Sequence, residues 1–150
     1  MKIITKNKKA FFDYTILSRL EAGIVLTGDE TKAARANNVN LTGAFATVRD
    51  QELFLINCHI GTYSHAYVKN NEEQTRRSRK LLLHKRELAR LAGDISRKGI
   101  TIVPLSLYLN EKGRIKVELG IAKHKKTHER KEELRERDIK RETARELKNH

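Results

Sequence analysis

The feature that most constrains the fold is a hairpin near the C-terminal end. Val103, Leu105, Leu107 and Leu109 point one way, Asn110-Glu-Lys-Gly113 turns the chain, and Ile115, Val117, Leu119 and Ile121 point the same way on return. Arg114, Lys116 and Glu118 face out, so the repeat is two residues and one face is buried. Through Ile121 the pattern is that of a half-buried strand. Past Lys123 the chain keeps strong helix formers, but Leu134, Ile139 and Leu147 scatter and form no stripe.

Upstream, Ala10–Leu17 reads as an aromatic and β-branched strand, Glu21-Ala-Gly23 as a corner, and Ile24–Thr27 as the next strand. Gly28–Ala36 reads as a short helix with Asp29 and Glu30 in its first turn, where acids suit the dipole. Ala44, Ala46 and Val48 alternate with Phe45, Thr47 and Arg49, then Asp50-Gln-Glu52 turns and Leu53–Asn57 returns as a second hairpin. Residues 61–79 are poor in apolar groups and predict a long mobile loop. Leu88, Leu91, Ala92 and Ile95 fall on one helical face, and Gly99 follows as a stop. About six antiparallel strands with two helices predict a small closed or partly closed barrel, OB-like first and SH3-like next.

Residues 1–122 are therefore expected to form the globular unit, and 123–150 a separate basic tail. Glu132–Arg135, Glu133–Arg137, Glu136–Lys140, Asp138–Arg141 and Glu142–Arg145 are opposite-charge pairs at helical spacing. Each stabilises an isolated helix by roughly 0.2–0.5 kcal/mol. A helix that is polar all round has no packing partner to hold it. The tail is expected to be disordered when free and helical when bound.

Composition enters at this point because it names the partner. The net charge is +13 and the isoelectric point about 10.0. Such an excess of cations favours polyanions, since each neutralised phosphate releases counterions. A membrane surface would call for a basic helix with a bulky apolar face, which the tail lacks. Aromatic residues make up 5% of the chain and fall mostly in strand-like runs, so backbone and shape contacts outrank base stacking. A monomer that binds nucleic acid in the cytoplasm, with no membrane partner, is the expectation.

Enzyme chemistry finds no support. The single cysteine, Cys58, lies in an apolar run and reads as a buried, inert thiol. The six histidines (59, 65, 84, 124, 128 and 150) offer no ligand set: His124 and His128 are four apart but have no third partner. No Walker A, G-x-S-x-G or G-x-G-x-x-G run occurs. No cofactor and no metal are expected. Glu21 and Glu30 are explained as well by a corner and a helix start as by a carboxylate pair.

Three basic groups remain. Arg76-Arg77-Ser78-Arg79-Lys80 adjoins the cationic side of the helix that carries Lys85, Arg86, Arg90 and Arg97, which favours an RNA backbone contact over a merely solvated loop. Lys123, Lys125 and Lys126 stand where the globule ends, and are read as a phosphate clamp. Lys116 faces out from the last strand.

Asn7-Lys-Lys-Ala10, Glu21-Ala-Gly-Ile-Val-Leu-Thr-Gly28 with Glu30, Lys32 and Arg35, Val39-Asn-Leu41 and Asn57-Cys-His-Ile60 follow one another along the chain. Thr75-Arg-Arg-Ser-Arg-Lys-Leu-Leu-Leu83, Arg86-Glu-Leu88, Val103-Pro-Leu-Ser-Leu-Tyr108, Lys116-Val-Glu-Leu-Gly-Ile-Ala-Lys123 and Lys125-Lys126 complete the set. In this order and spacing the chain resembles the SsrA-binding protein (small protein B) family, the partner of transfer-messenger RNA in bacterial ribosome rescue.

The resemblance implies an OB-like barrel that holds the tRNA-like part of that RNA, and a tail that folds as a helix in the vacant decoding centre and mRNA channel of a stalled ribosome's small subunit. It implies RNA binding by Glu21, Leu82 and Lys116, supported by Asn7, Arg35 and Asn40, with Arg79, Lys80, Lys123, Lys125 and Lys126 as basic contacts. His128, Glu129, Arg130 and Lys131 match a His-Asp-Lys-Arg tail motif, the histidine stacking on a ribosomal base and the basic pair meeting phosphates. The chain departs from the family pattern at Thr31, Asn37-Asn38, Glu73-Gln74, His124, Glu129-Arg130-Lys131 and Glu146-Leu147. The alternative is a structural ribosomal or single-strand-binding OB protein with a basic tail.

Overall fold

The computed structural model describes residues 1–63, 72–97 and 99–148, with the backbone alone for 127–129. Among these the order is β1 (Lys2–Lys6), α1 (Lys8–Asp13), β2 (Tyr14–Ile24), α2 (Gly28–Arg35), β3 (Val39–Asn40), β4 (Phe45–Arg49) and β5 (Glu52–Ile56). Then follow β6 (His59–Ile60), α3 (Glu72–Thr75), β7 (Arg79–Leu82), α4 (Lys85–Ile95), β8 (Ile100–Leu109), β9 (Ile115–His124) and α5 (Thr127–Lys148). Every pairing is antiparallel. The main sheet runs β1-β8-β4-β5-β7-β2-β9, and β9 also pairs with β8, so the strands come round into a near-closed ring. The expected class, mainly β with flanking helices, is what the chain forms.

The strongly periodic segments fold as their pattern dictates. β4 and β5 form the second hairpin, with Asp50 (φ 48°) and Gln51 (φ 64°) taking the left-handed turn. α2 begins with a full capping box: Thr27 accepts from the Glu30 N–H, and the Glu30 carboxylate accepts from the Thr27 N–H. α4 buries Leu91 and packs Leu88 and Ile95 against the core, and Gly99 (φ 84°) adopts the left-handed conformation after it.

Four expectations are corrected. Residues 8–13 form α1, not a strand, because Asn7 Oδ1 caps the Ala10 N–H at 3.2 Å and starts the turn. β2 then runs straight through Glu21-Ala-Gly23, so this is no corner. Of residues 61–79, 64–71 lie outside the described residues, but 72–75 are helical and Arg79 opens a strand, so the second half is no loop.

The fourth correction concerns the hairpin itself. A register shift between Pro104 and Ser106 moves side chains across the sheet. Ile102, Leu107, Val117, Leu119 and Ile121 enter the main core with Ala46, Leu53, Leu55, Leu81 and Leu91. Val103, Leu105 and Ala122 face the opposite side, where they pack with Ala10 of α1 as a second core. Gly120 makes room for this crossing: a Cβ there would lie 3.0 Å from Leu105 Cδ1. One hairpin is thereby buried on both faces, and α1 is the lid of the second.

The tail is helical, with Leu134, Ile139 and Leu147 all exposed. Its first turns touch α1. The Lys125 ammonium donates to the Phe11 carbonyl at 3.1 Å and pairs with Glu133, Arg130 pairs with Asp13 at 3.6 Å, and Arg137 lies 5.7 Å over the Phe12 ring. Among the described residues no helix is long and apolar enough to cross a membrane.

Candidate nucleic-acid interface

The outer face of β7, β2, β9 and β8 gathers three of the expected residues. Register puts Gly23 opposite both Leu82 and Lys116, and Lys116 opposite Tyr108. Glu21 stands two residues from Gly23 on the same face. Gly23 is what brings the group together: a Cβ there would lie 3.3 Å from Leu82 Cβ and 3.7 Å from Lys116 Nζ. Where other strand residues would raise a side chain, the leucine and the ammonium lean in.

The three side chains differ in exposure and in what holds them. Leu82 is 51% exposed, one of the large apolar side chains left on the surface. Lys116 is half-buried along its stem, and no described residue accepts a hydrogen bond from its ammonium. Glu21 is exposed yet held, because the Tyr108 hydroxyl donates to its carboxylate. Beside them Gly23, Ile24, Leu26, Arg35, Leu82 and Lys116 line an open hollow of about 360 Å³. Arg35 donates to the Gly113 carbonyl at 3.0 Å, tying α2 to the turn of the β8–β9 hairpin. An exposed leucine, a cation with no acceptor among the described residues and a held carboxylate thus sit together on the sheet.

The other expected contacts lie elsewhere. Asn7 is buried and donates to the Pro104 carbonyl at 2.9 Å and the Leu41 carbonyl at 3.3 Å, so it stitches the β1–α1 junction to β8. Asn40 accepts from the Thr42 N–H at 2.9 Å and is exposed beyond the ring. Lys80 faces out and pairs with Glu52 at 3.0 Å, both ends open to solvent. Such exposed pairs hold weakly and exchange readily for a phosphate.

Arg79 is a correction. It is fully buried, with Nε donating to Glu30 Oε2 at 2.6 Å and its terminal nitrogens to the carbonyls of Cys58, Thr75 and Arg77. Arg77 also binds Glu30. Burial pushes the Glu30 carboxyl up, but Arg77, the Thr27 N–H and Arg79 pull harder, and it lies below its ordinary value. The pair locks α2 to β7 from inside; Arg79 reaches no external phosphate. Cys58 beside it is buried, and burial pushes its thiol up to about 11.

At the junction, Lys123 is exposed, whereas Lys125 is engaged with Phe11 and Glu133. Lys126 is exposed and makes contacts within the chain. His128 and Glu129 have side chains outside the described residues. Arg130 pairs with Asp13, and Lys131 is exposed. Among the described residues no group of His, Cys, Asp and Glu could hold a metal ion.

Sequence reasoning passed over Gly23 and Tyr108. The glycine reads in sequence as part of a corner, and the tyrosine lies within an apolar run that reads as core. Its register opposite Lys116 was the signal available.

A family model described as "SmpB protein" matches residues 4–149. An SsrA-binding protein of Sphingomonas elodea is 47% identical over 149 residues, covering 99% of this chain and 92% of the relative. One of Symbiobacterium thermophilum is 47% identical over 145 residues, covering 97% and 90%. A solved structure described as "tmRNA-SmpB: a journey to the center of the bacterial ribosome" superposes with a TM-score of 0.68 at 49% identity, covering 82% of this chain and 85% of its own.

Proposed function

The chain belongs to the SmpB protein family, and from that premise we infer how its parts divide the work. It is an SsrA-binding protein, not an enzyme, and works with transfer-messenger RNA in trans-translation on the ribosome. The near-closed ring is read as an OB-like barrel, residues 1–122, whose outer β2–β7–β9 face grips the tRNA-like part of that RNA. Glu21, Leu82 and Lys116 are the primary contacts, with Arg35, Asn40, Lys80 and Lys123 around them and Asn7 supporting from inside. The observation that carries this is their convergence on Gly23, which leaves an exposed leucine beside an ammonium with no acceptor among the described residues. Such a cation, on a face with an apolar platform, suits a phosphate next to a base or sugar.

Residues 123–150 are the second part. The tail is read as the segment that enters the vacant decoding centre and mRNA channel, with His128, Glu129, Arg130 and Lys131 leading. Its polar surface supports this: a helix without a stripe gains little from its own globule, and an RNA channel supplies the missing partner. The protein acts as a cytoplasmic monomer on this reading.

Gel-shift titration with the tRNA-like domain, against single-stranded competitor of equal length, tests the assignment. Strong preference for the folded RNA is expected; equal affinity overturns it. Cutting after Lys126 should leave that binding intact and abolish tagging on stalled ribosomes. Joint loss of both would refute the division.

A further inference from the structure

Glu21 poses a physical problem for an RNA-binding face. A carboxylate only accepts hydrogen bonds, and beside a phosphate it is repelled. A glutamate on such a face therefore weakens binding unless the RNA presents a donor to it.

The structure holds this carboxylate in a definite way. Tyr108 lies opposite Lys116 of β9 and Ile3 of β1, so its ring points to the outer face, yet it is 6% exposed because its neighbours cover it. Its hydroxyl donates to one Glu21 oxygen, and among the described residues it is the one hydrogen-bond partner of that side chain. The phenol proton stays on the tyrosine: burial first, then the bond to Glu21, push its pKa far above the ordinary range. Donation thus runs one way, from Tyr108 to Glu21. The nearest like charge, Glu118, is drawn aside by Arg19 at 3.2 Å. What remains is an exposed carboxylate held by one hydrogen bond from Tyr108, one strand away from the Lys116 ammonium, for which no described residue is an acceptor.

We propose that Tyr108 is a positioning residue for Glu21, and that the pair reads a hydrogen-bond donor of the RNA, a ribose 2′-hydroxyl or a base N–H, while Lys116 takes an adjacent phosphate. The proposal rests on the outer-face reading of the RNA site. A phosphate contact only anchors the chain, whereas a contact to a sugar hydroxyl or base edge distinguishes one nucleic acid from another.

The test is a salt titration of tRNA-like domain binding by wild type, Glu21→Gln, Tyr108→Phe, the double variant and Lys116→Ala, with thermal unfolding of each. Glu21→Gln and Tyr108→Phe should each weaken binding about ten- to hundredfold, in line with a charge-assisted hydrogen bond. They should leave the log–log salt slope unchanged, and the double variant should be no worse than the weaker single. A merely structural Tyr108 would lower the melting temperature and add its loss to that of Glu21→Gln. Tighter binding by Glu21→Gln, the result for a bystander carboxylate, overturns the proposal. If Lys116→Ala still weakens binding in that case, the outer-face reading survives; if Lys116→Ala is also silent, that reading fails as well. RNA carrying 2′-deoxy segments, and RNA with inosine for guanosine, locate the donor. The substitution whose penalty vanishes in Glu21→Gln marks sugar or guanine amino group, and full additivity with both and with the remaining base analogues overturns the pair as a reader.

Discussion

Removing the Glu30 carboxylate should destabilise the protein from the inside. In Glu30→Ala the guanidinium of Arg79, fully buried, keeps three carbonyl acceptors but loses its counter-charge. Arg77 loses its partner too, and the first turn of α2 loses the acceptor for the Thr27 N–H. Breaking a buried pair by deleting one member costs about 3–5 kcal/mol, because a charge is left stranded in a low-dielectric site. Against a typical domain stability of about 5–15 kcal/mol that is a large share. In urea at pH 7, a slope of about 2 kcal/mol per molar turns a loss of about 4 kcal/mol into a midpoint shift of about 2 M.

The pH dependence follows from the direction of the Glu30 shift. Its folded value is lowered below the ordinary 4.5, so its contribution is complete above that pH and is lost as pH falls through the folded value. The gap between wild type and variant should therefore narrow on acidification below about pH 4. Replacing both Glu30 and Arg79 by methionine should recover only part of the loss, since the apolar pair strands no charge but leaves the Cys58, Thr75 and Arg77 carbonyls without their donor. A loss below about 1 kcal/mol in Glu30→Ala, or a gap that widens in acid, would refute the argument.

Further predictions follow from the same geometry. Gly23→Val should push Leu82 and Lys116 off their positions, 3.3 and 3.7 Å from a Cβ there. RNA affinity should fall about tenfold or more with little change in the urea midpoint; unchanged affinity would remove Gly23 from the site. Lys116→Ala should flatten the log–log salt dependence of RNA binding by up to about one unit, and an identical slope would show that no phosphate is met there. Cys58, with its thiol pushed up to about 11 by burial, should resist alkylation at pH 8 in the native protein. It should become reactive in Glu30→Ala, whereas rapid labelling of the wild type would contradict the burial.

The sequence disclosed those elements whose periodicity is set by one dominant interface. The β4–β5 hairpin, α2 and α4 each bury one stripe, and their patterns read directly; β8–β9 reads as a hairpin, but its second buried face does not. What escaped was decided by contacts between distant residues. α1 depends on the Asn7 cap, which outweighs the β preference of Phe11 and Phe12. The shift at Leu105 depends on room left by Gly120 and on α1 as a second layer. Arg79 looks in sequence like its neighbours Arg76 and Arg77; Glu30, brought over from α2, and the carbonyls of Cys58, Thr75 and Arg77 draw it inward.

For the interface, Glu21, Leu82 and Lys116 came from resemblance, and their common point, Gly23, came from the strand register. Lys125 shows the opposite outcome. Its charge suggested a clamp for phosphate, and its place beside α1 gives it to Phe11 and Glu133.

The central claim is that the outer β2–β7–β9 face receives the folded RNA. Titrating the isotopically labelled protein with the tRNA-like domain of transfer-messenger RNA and following backbone amide shifts tests it directly. The largest changes are expected at Glu21, Gly23, Leu82 and Lys116. Changes confined to the exposed arginine side of α4, with those four amides unmoved, would contradict it.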